Sequence, residues 1–471
     1  MAGISTTTSN STITSNYNPK TTYKGPLTIV TILFFMWGFI TCLNDLLIPK
    51  LKEVFTLQNW QAMLIQTAFF GAYFIISLAY FLFSITKGDP IVKIGYKNGI
   101  IIGLVVAAIG CALFFPAASY KSYGFFLGAL FVLASGITLL QIAANPYVSI
   151  LGSPQTASSR LNMTQAFNSL GTTIAPVLGG FLIFQSAGQI ASTPHADSVK
   201  LPYLGLSVAL LLIALLIKLA RLPQIAGETI QTSSNSGALK HQHLVLGVIC
   251  IFTYVGGEVS IGSNLIGYLM LPQIGALSEL QASQYLSFFW GGAMIGRFIG
   301  AVALSEMANL KRFGIISVIT AITFVVVYSV YNLDFALITL GMVVLNVIVF
   351  LAGSFIPSRT LGLFATAVII LLGITIAAEG QLALWSVIAI GLFNSIMFPT
   401  IFTLAIKGLG VDTSQGSSLL VMAIVGGAII PPLQGVFADA TGNLQLSFIV
   451  PMICYAYIVY YGFIGYKPKV R

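Results

Sequence analysis

Apolar segments of about twenty residues follow one another along most of this chain, and they constrain its fold more than any other feature. A segment of that length is what a helix needs to cross the hydrocarbon core of a bilayer. Charged residues make up only 7% of the sequence, whereas soluble domains carry about a quarter. The chain is therefore expected to be an all-α polytopic membrane protein.

The first of these segments, residues 31–49, contains Asn44 and Asp45. An ionised carboxylate at the centre of a spanning helix costs about 2.5–3.5 kcal/mol on insertion scales. Asp45 is therefore expected to belong to a binding site or path inside the membrane. The alternative is that Asp45 lies near the outer end of its helix and reaches water.

Polar interruptions divide the apolar pattern into two groups of helices. Six spans are predicted before residue 222 and eight after residue 243, fourteen in all. The predicted divisions are a disordered cytoplasmic tail at 1–24, a six-helix bundle at 25–221, a cytoplasmic linker at 222–243, a C-terminal bundle at 244–466 and a cytoplasmic tail at 467–471.

The basic residues indicate how the chain is oriented. With these spans, sixteen Lys and Arg residues fall on the side that carries both termini and four on the other. Because cytoplasmic loops carry the excess of positive charge, both termini are predicted to be cytoplasmic. The basic residues are not concentrated in one segment, so a nucleic-acid partner is not expected.

Internal repeats relate the two groups of helices. Gln141 precedes Pro146 by five residues, as Asn394 precedes Pro399, and the motif GTTIAP at Gly171 is matched by GGAIIP at Gly426. These landmarks lie about 254 residues apart, but an earlier pair, Ala72 and Ala293, lies only 221 apart. Parallel repeats are typical of transporters of the major facilitator type. The increase in spacing predicts an inserted helical hairpin at about 313–353.

Two more ionisable residues fall within the predicted spans, Glu258 in the seventh and Arg297 in the eighth. They could form a structural ion pair that spares each charge isolation in a low-dielectric region. Alternatively, Glu258 lines a cavity and binds sugar hydroxyls or a cation. The sequence leaves both interpretations open.

Four carboxamides form a second polar set. Gln141 and Asn145 are four residues apart, and Gln165 and Asn168 are three apart, so each pair lies on one face of its helix. Amides both donate and accept hydrogen bonds, which suits sugar hydroxyls. Such residues also hold helices together, but four of them alongside an intramembrane aspartate favour a polar cavity. Trp37 and Trp290 are candidates to stack on a sugar ring.

The cysteines and histidines indicate no further chemistry. The four cysteines lie in apolar segments without a CxxC pair, which is typical of small buried residues. The three histidines lie in predicted loops without metal-ligand spacing. Neither a metal site nor a catalytic residue is predicted, and the chain is not expected to be an enzyme.

Several motifs in one order resemble the fucose/glucose–galactose transporter family of the major facilitator superfamily. They are CLNDLLIP, YGFFLGALFVLASG, LQIAANPYV, QAFNSLGTT, YVGGEV, WGGAMIGRFIG, GLFNSIMFPTIF and AIVGGAIIPP. The resemblance covers nearly the whole chain outside the first two dozen residues and the inserted hairpin. It implies twelve core helices in two pseudo-symmetric bundles, alternating access and cation-coupled uptake of a monosaccharide.

The chain departs from the fucose branch of this family at two places. Fucose/proton symporters carry an acid in the fourth helix where this chain has Gln141, while the acid matching Asp45 is kept. The motif LQIAANP is that of the glucose/galactose branch, and YVGGE brings Glu258 into the seventh helix. Separately, the loop KGDPIVKIGYKNG is a degenerate form of the superfamily signature, with Val92 at the usual aspartate position. Loss of the second acid favours Na⁺ over H⁺ as the coupling ion, because neutral amide oxygens can ligate a hard cation but cannot carry a proton.

These features together predict a monomeric hexose importer of the bacterial inner membrane, with glucose and galactose as the favoured substrates and no cofactor besides a coupling ion. The alternative is a proton-coupled symporter of fucose or another monosaccharide, and a membrane-embedded receptor or enzyme is more remote. Its expected partners are the sugar and membrane lipids. Predicted cation-coupling residues are Asp45, Asn44, Gln141 and Asn145. Predicted sugar-binding residues are Gln165, Asn168, Glu258, Trp290, Asn394, Trp37 and Tyr254.

Overall fold

A computed structural model describes residues 23–56, 59–180, 199–220, 222–223 and 237–468. Within these ranges the regular secondary structure is entirely helical, and no strand occurs. Residues 1–22 of the tail predicted at 1–24, the middle of the linker at 224–236 and the last residues, 469–471, lie outside the described ranges. For Asn44 and Asp45 the structure gives the helical backbone and not the side chains.

The helices of the N-terminal half are α1 (Lys24–Val54), α2 (Asn59–Lys87), a short α3 (Pro90–Ile94), α4 (Tyr96–Ser119), α5 (Tyr123–Ile150), α6 (Ala157–Gly180) and α7 (Lys200–Leu219). Those of the C-terminal half are α8 (Gln242–Leu269), α9 (Glu279–Ala303), α10 (Asn309–Val330), α11 (Leu333–Ala352), α12 (Pro357–Ala377), α13 (Gly380–Asn394), α14 (Met397–Ala405), α15 (Thr413–Met422), α16 (Gly426–Thr441) and α17 (Ile449–Tyr460).

Fourteen spans account for these helices, because α13 with α14 and α15 with α16 each make one crossing. Thirteen of the spans in the described part are long and apolar enough to cross a bilayer by length and composition. The remaining one is α6, which carries Asn162, Gln165 and Asn168. We call the end of the bundle where α1 begins the tail side, and the other end the distal side.

The packing of the helices repeats between the halves. In the N-terminal half α1 packs on α6, α2 on α5 and α4 on α7; in the C-terminal half α8 packs on α16, α9 on α13 and α12 on α17. Helices α10 and α11 have no counterpart in this pattern. They pack on each other and on α9, α12 and α13, so the second half consists of a six-span bundle with an added hairpin.

Glycines allow the closest helix crossings. A Cβ atom on Gly38 of α1 would lie 2.0 Å from the carbonyl oxygen of Asn168 in α6, and one on Gly171 would lie 2.2 Å from that of Phe35. The equivalent crossing in the other half has Gly426 of α16, where a Cβ atom would lie 2.1 Å from the carbonyl oxygen of Phe252. Small residues let backbones approach where apolar burial provides no driving force between helices.

An aromatic cluster attaches the distal end of the hairpin to the bundle. The rings of Tyr331 and Phe335 from the hairpin contact Phe288 of α9, at centroid distances of 4.5 and 5.4 Å. Phe335 also contacts Tyr285 of α9 at 5.6 Å and Trp385 of α13 at 5.2 Å. Aromatic pairs at these distances contribute about 0.5–1.5 kcal/mol each beyond the area they bury.

Most helices are longer than the apolar pattern predicted. Helix α10 begins at Asn309, four residues before the predicted start of the hairpin, and α8 begins at Gln242, inside the predicted linker. Lys24, assigned to the tail, already belongs to α1. Backbone hydrogen bonding continues past the last apolar residue, because polar and long charged side chains at helix ends extend to the interface.

One of the eight spans predicted after residue 243, the apolar segment at about 382–407, is two helices, α13 and α14, separated at Ser395 and Ile396. Pro399 explains the break, since proline has no backbone N–H to donate to the carbonyl of the fourth preceding residue. That residue is Ser395. Its free carbonyl accepts a hydrogen bond from a side chain at the site described below.

Candidate functional site

The C-terminal wall of the site is formed by one face of α8. Tyr254, Glu258 and Gly262 follow at intervals of four residues and therefore share that face. Glu258 is 9% exposed and its Oε1 has no hydrogen-bond partner. Its carboxylate interacts electrostatically with Arg297 and Tyr254. The indole of Trp290 packs at Gly262, where a Cβ atom would lie 3.0 Å from the ring.

Asn394 closes this wall at the break between α13 and α14. The hydroxyl of Tyr254 donates to its carbonyl oxygen at 3.1 Å, and the hydroxyl of Tyr455 donates to its side-chain Oδ1 at 2.7 Å. The side-chain Nδ2 is buried without a partner. The side-chain nitrogen of Asn394 is therefore a free donor, whereas its backbone and side-chain oxygens both accept hydrogen bonds.

Arg297 connects the two halves of the protein. Its Nε donates to the free carbonyl of Ser395 at 3.2 Å, and its Nη1 donates to the hydroxyl of Ser169 on α6. Among the described residues no ion pair within 4.0 Å joins Arg297 to Glu258. This geometry favours the interpretation of Glu258 as a cavity residue over that of a structural ion pair.

The N-terminal wall contains Tyr73, which the sequence analysis did not single out. Its hydroxyl lies close to the polar groups of Trp37 on α1 and Gln141 on α5. Trp37 is half-buried, and its ring lies 5.3 Å from that of Phe34. Two predicted positions on two helices, Trp37 on α1 and Gln141 on α5, thus lie beside one residue of α2.

The four amides differ in how they are satisfied. Both Nδ2 and Oδ1 of Asn145 are buried without a partner, and so is Nε2 of Gln165. Asn168 instead donates to the carbonyl of Phe34 at 3.0 Å, which makes it a link between α6 and α1. Buried polar groups without partners cost free energy, so Asn145 and Gln165 are candidates to contact a polar ligand.

Asn44 and Asp45 lie on α1 toward its distal end. Asp45 is eight residues beyond Trp37, or about 12 Å along the helix at 1.5 Å per residue. The helix continues nine residues past Asp45 to Val54. Asp45 thus lies about two turns distal to Trp37 on the same helix. Its role in cation coupling stays a prediction.

Contacts between the halves are found from the tail side to the middle of the bundle. Ser158 and Thr403 share a hydrogen bond of 2.6 Å, Ser159 donates to the carbonyl of Ala301 at 2.5 Å, and Ser153 donates to Glu306 at 3.3 Å. Nearer the middle, the rings of Phe167 and Phe298 lie 5.8 Å apart. The two halves are therefore closed against each other on the tail side.

A carboxylate pair lies at this closure. Asp89, just before α3, accepts hydrogen bonds from Tyr80 at 2.6 Å and from the backbone of Ile91 at 2.9 Å, and its Oδ2 has no partner. Burial, together with repulsion from Asp412 in the other half, raises the pKa of Asp89 above its ordinary value. Asp412 itself lies 3.5 Å from Nε2 of His241.

Closure of the tail side is expected to depend on pH, because the pKa of Asp89 is raised in the closed state. Protonated Asp89 is favoured in the closed state, so closure is strongest at low pH and weakens as the pH rises through the raised pKa. Asp89→Asn is expected to hold the tail side closed at all pH values. The check is the pH dependence of thiol labelling at Ser158→Cys in a cysteine-free background. Asp439→Asn, at an exposed distal position, should leave that profile unchanged, and an unchanged profile in Asp89→Asn would contradict the prediction.

Comparisons with known proteins were made for the sequence and for the fold. No protein-family profile matches the chain. The chain is 49% identical to a glucose/galactose transporter of Brucella abortus, over 94% of this chain and 95% of that protein. It is 41% identical to a putative glucose/galactose transporter of Helicobacter pylori, over 96% and 99% of the two chains.

The third relative has a solved structure. The L-fucose–proton symporter of Escherichia coli is 33% identical to this chain over 93% of it and 92% of the symporter. A crystal structure of the E. coli fucose:proton symporter superposes with a TM-score of 0.74, covering 94% of this chain and 99% of that one. Another, of the outward conformation, gives the same TM-score.

Proposed function

Because this chain belongs to the glucose/galactose and fucose transporter family of the major facilitator superfamily and is a sugar transporter of the membrane, we propose that it imports glucose and galactose coupled to a cation. The observation that carries the substrate is the identity to a glucose/galactose transporter over nearly the whole chain. The proposed carrier works as a monomer in a bacterial inner membrane, with its tail side in the cytoplasm. The structure then corresponds to a state closed toward the cytoplasm.

The proposed sugar site lies between the two walls described above. The free Nδ2 of Asn394 and the free Oε1 of Glu258 offer a donor and an acceptor from one half, and the free Nε2 of Gln165 offers a donor from the other. Hydroxyls of a hexose both donate and accept, so one sugar can satisfy groups on both halves. Trp290 is 42% exposed and packs at Gly262, one helical turn from Glu258, and it would cover the apolar face of the ring.

The proposed coupling ion is Na⁺, bound at Asp45 and Asn44 on α1, because a hard cation takes carboxylate and amide oxygens. Gln141 and Asn145 lie nearer the tail side, since the start of α1 at Tyr23 is hydrogen-bonded to the end of α5 at Leu151. At 1.5 Å per residue Asp45 is about 33 Å from that level and Asn145 about 9 Å. Proton coupling is the second candidate, and the relation to an L-fucose–proton symporter favours it.

Uptake into proteoliposomes tests both parts of the proposal. Labelled glucose should accumulate when a Na⁺ gradient is imposed at equal pH, and unlabelled galactose should compete for uptake better than mannose or fucose. Accumulation driven by a pH gradient without Na⁺ would reject the sodium assignment and leave hexose import standing. Competition by fucose alone would reject the substrate assignment.

Asp45→Asn is expected to abolish gradient-driven accumulation while exchange of labelled for unlabelled sugar continues, because the neutral residue removes the charge that couples the ion. Both rates are measured in the same vesicles. Asp334→Asn, which changes an exposed aspartate at the hairpin tip, is the matched control and should alter neither rate. Loss of exchange together with accumulation would show that Asp45 serves binding or folding instead.

A further inference from the structure

Tyr455, which is not among the predicted sugar-binding residues, contacts one of them, Asn394. Tyr455 lies on α17, which packs on α8 and α12. Its hydroxyl donates a hydrogen bond to Oδ1 of Asn394 at 2.7 Å, and both residues are fully buried. Because water cannot replace either partner there, this hydrogen bond holds both side chains in place.

This hydrogen bond also fixes which end of the Asn394 amide points toward Tyr455. A tyrosine hydroxyl carries one proton, and that of Tyr455 has no hydrogen bond to any other described residue. If the amide were turned over, Nδ2 would donate to the hydroxyl, and the hydroxyl proton and Oδ1 would both lack a partner. With Oδ1 toward the tyrosine, Nδ2 alone is unpartnered in this pair. The amide is therefore held with its NH₂ group directed away from Tyr455.

The backbone at Asn394 is held by two other side chains. The hydroxyl of Tyr254 on α8 donates to the carbonyl oxygen of Asn394 at 3.1 Å. The next carbonyl, that of Ser395, accepts from Nε of Arg297 at 3.2 Å. The break between α13 and α14 is therefore fixed in position, and the amide of Asn394 is fixed on it by Tyr455.

Glu258 belongs to the same cluster of side chains. Its carboxylate interacts electrostatically with both Tyr254 and Tyr455. A Cβ atom on the preceding residue, Gly257, would lie 3.2 Å from the ring of Tyr455. Oε1 of Glu258 has no hydrogen-bond partner. The cluster therefore offers one free acceptor, on Glu258, and one free donor, on Asn394, and this combination suits a sugar that donates from one hydroxyl and accepts at another.

We propose that Tyr455 is a positioning residue of the sugar site, which holds the amide of Asn394 so that Nδ2 donates to a sugar oxygen. The inference rests on the proposed sugar site and adds which kind of hydrogen bond each residue makes there. At the ring position that faces Asn394 the sugar has to accept a hydrogen bond. At the position that faces Glu258 it has to donate one.

Inhibition of glucose uptake by monodeoxy and monodeoxy-fluoro glucoses tests the orientation of the amide. Fluorine accepts a hydrogen bond but cannot donate one. At the ring position that Nδ2 contacts, the fluoro sugar should therefore inhibit about fivefold more strongly than the deoxy sugar. In Asn394→Ala this difference should disappear. Equal inhibition by the two analogues at every ring position of the unmodified protein, or the same difference in Asn394→Ala, would overturn the proposal.

A double-mutant cycle tests the part of Tyr455. Tyr455→Phe should raise the KM of uptake about fivefold and leave the maximal rate unchanged, and it should have no further effect on KM in Asn394→Ala. Tyr268→Phe is the matched control, because its buried hydroxyl also makes a hydrogen bond of 2.7 Å, to the carbonyl of Thr375, and it should leave KM unchanged. An unchanged KM in Tyr455→Phe, or additive effects in the cycle, would overturn the proposal. If the unmodified protein carries another monosaccharide, both experiments use that sugar and its analogues, so that failure of the glucose assignment is seen separately.

Discussion

Replacing Asn145 by leucine is expected to abolish gradient-driven uptake while making the folded protein more stable. Both polar atoms of its amide are buried without a partner, and each such group costs about 1–3 kcal/mol. Leucine has the same number of side-chain heavy atoms with the same branch at Cγ, and it removes that cost. A ligand that relies on the amide would bind on the order of 100-fold more weakly, because its own polar group would then be left unpaired. Initial rates of uptake and the melting temperature in detergent measure the two effects.

Asn168→Leu is the natural counterpart of that experiment. Its amide donates to the backbone of Phe34, so the same substitution there removes a hydrogen bond between α6 and α1 and should lower the melting temperature. Opposite shifts in stability for two asparagines are the expected signature of one ligand residue and one structural residue. If Asn145→Leu lowers the melting temperature as much as Asn168→Leu does, Asn145 is a structural residue and not a ligand residue.

Gly38→Ala is expected to prevent correct assembly of the N-terminal half. The added carbon would lie 2.0 Å from the carbonyl oxygen of Asn168, whereas real contacts of this kind stay beyond about 3 Å. Backbone, rather than a flexible side chain, occupies the space, so α1 and α6 would have to separate by about an ångström. Overpacking typically costs about 1–3 kcal/mol, and a shift of two whole helices should reach the upper end or exceed it.

Gly128→Ala provides the matched control for this prediction. It lies inside α5 with no atom within 4 Å of the added carbon, and alanine is the better helix former by about 1 kcal/mol. Size-exclusion profiles and melting temperatures should show loss of folded protein for Gly38→Ala and none for Gly128→Ala. A normal melting temperature in both variants would mean that α1 and α6 do not cross this closely.

The fold was predictable because its main signals are local or periodic. Length and hydropathy gave the spans, and the change in spacing between repeats gave the inserted hairpin, which the helix packing confirms. The match of Gly171 with Gly426, noted as a repeat of letters, corresponds in the structure to the same close crossing in each half. Helix ends were less predictable, since side-chain polarity changes before backbone hydrogen bonding stops.

The candidate site was only partly predictable, because spacing gives the face of a helix and not the partners on other helices. Asn145 and Asn168 look alike in sequence, yet one is unpaired and the other bonds to a backbone carbonyl. Tyr73 and Ser169 carry no spacing signal at all. The bond from Arg297 to Ser395 had one signal that could have found it, since Pro399 necessarily frees the carbonyl four residues earlier.

The hairpin of α10 and α11 also shows how a transporter chain can lengthen. Two added helices are an even number, so every later helix keeps its direction through the bilayer and both ends of the chain stay on the same side. A single added helix would invert the direction of α12 to α17 through the bilayer. Asn394 would then no longer match its counterpart in the first half. The number of added helices, which must be even, therefore limits insertions in this fold more than their length does. An even insertion on the outer surface of one half leaves the central repeat intact.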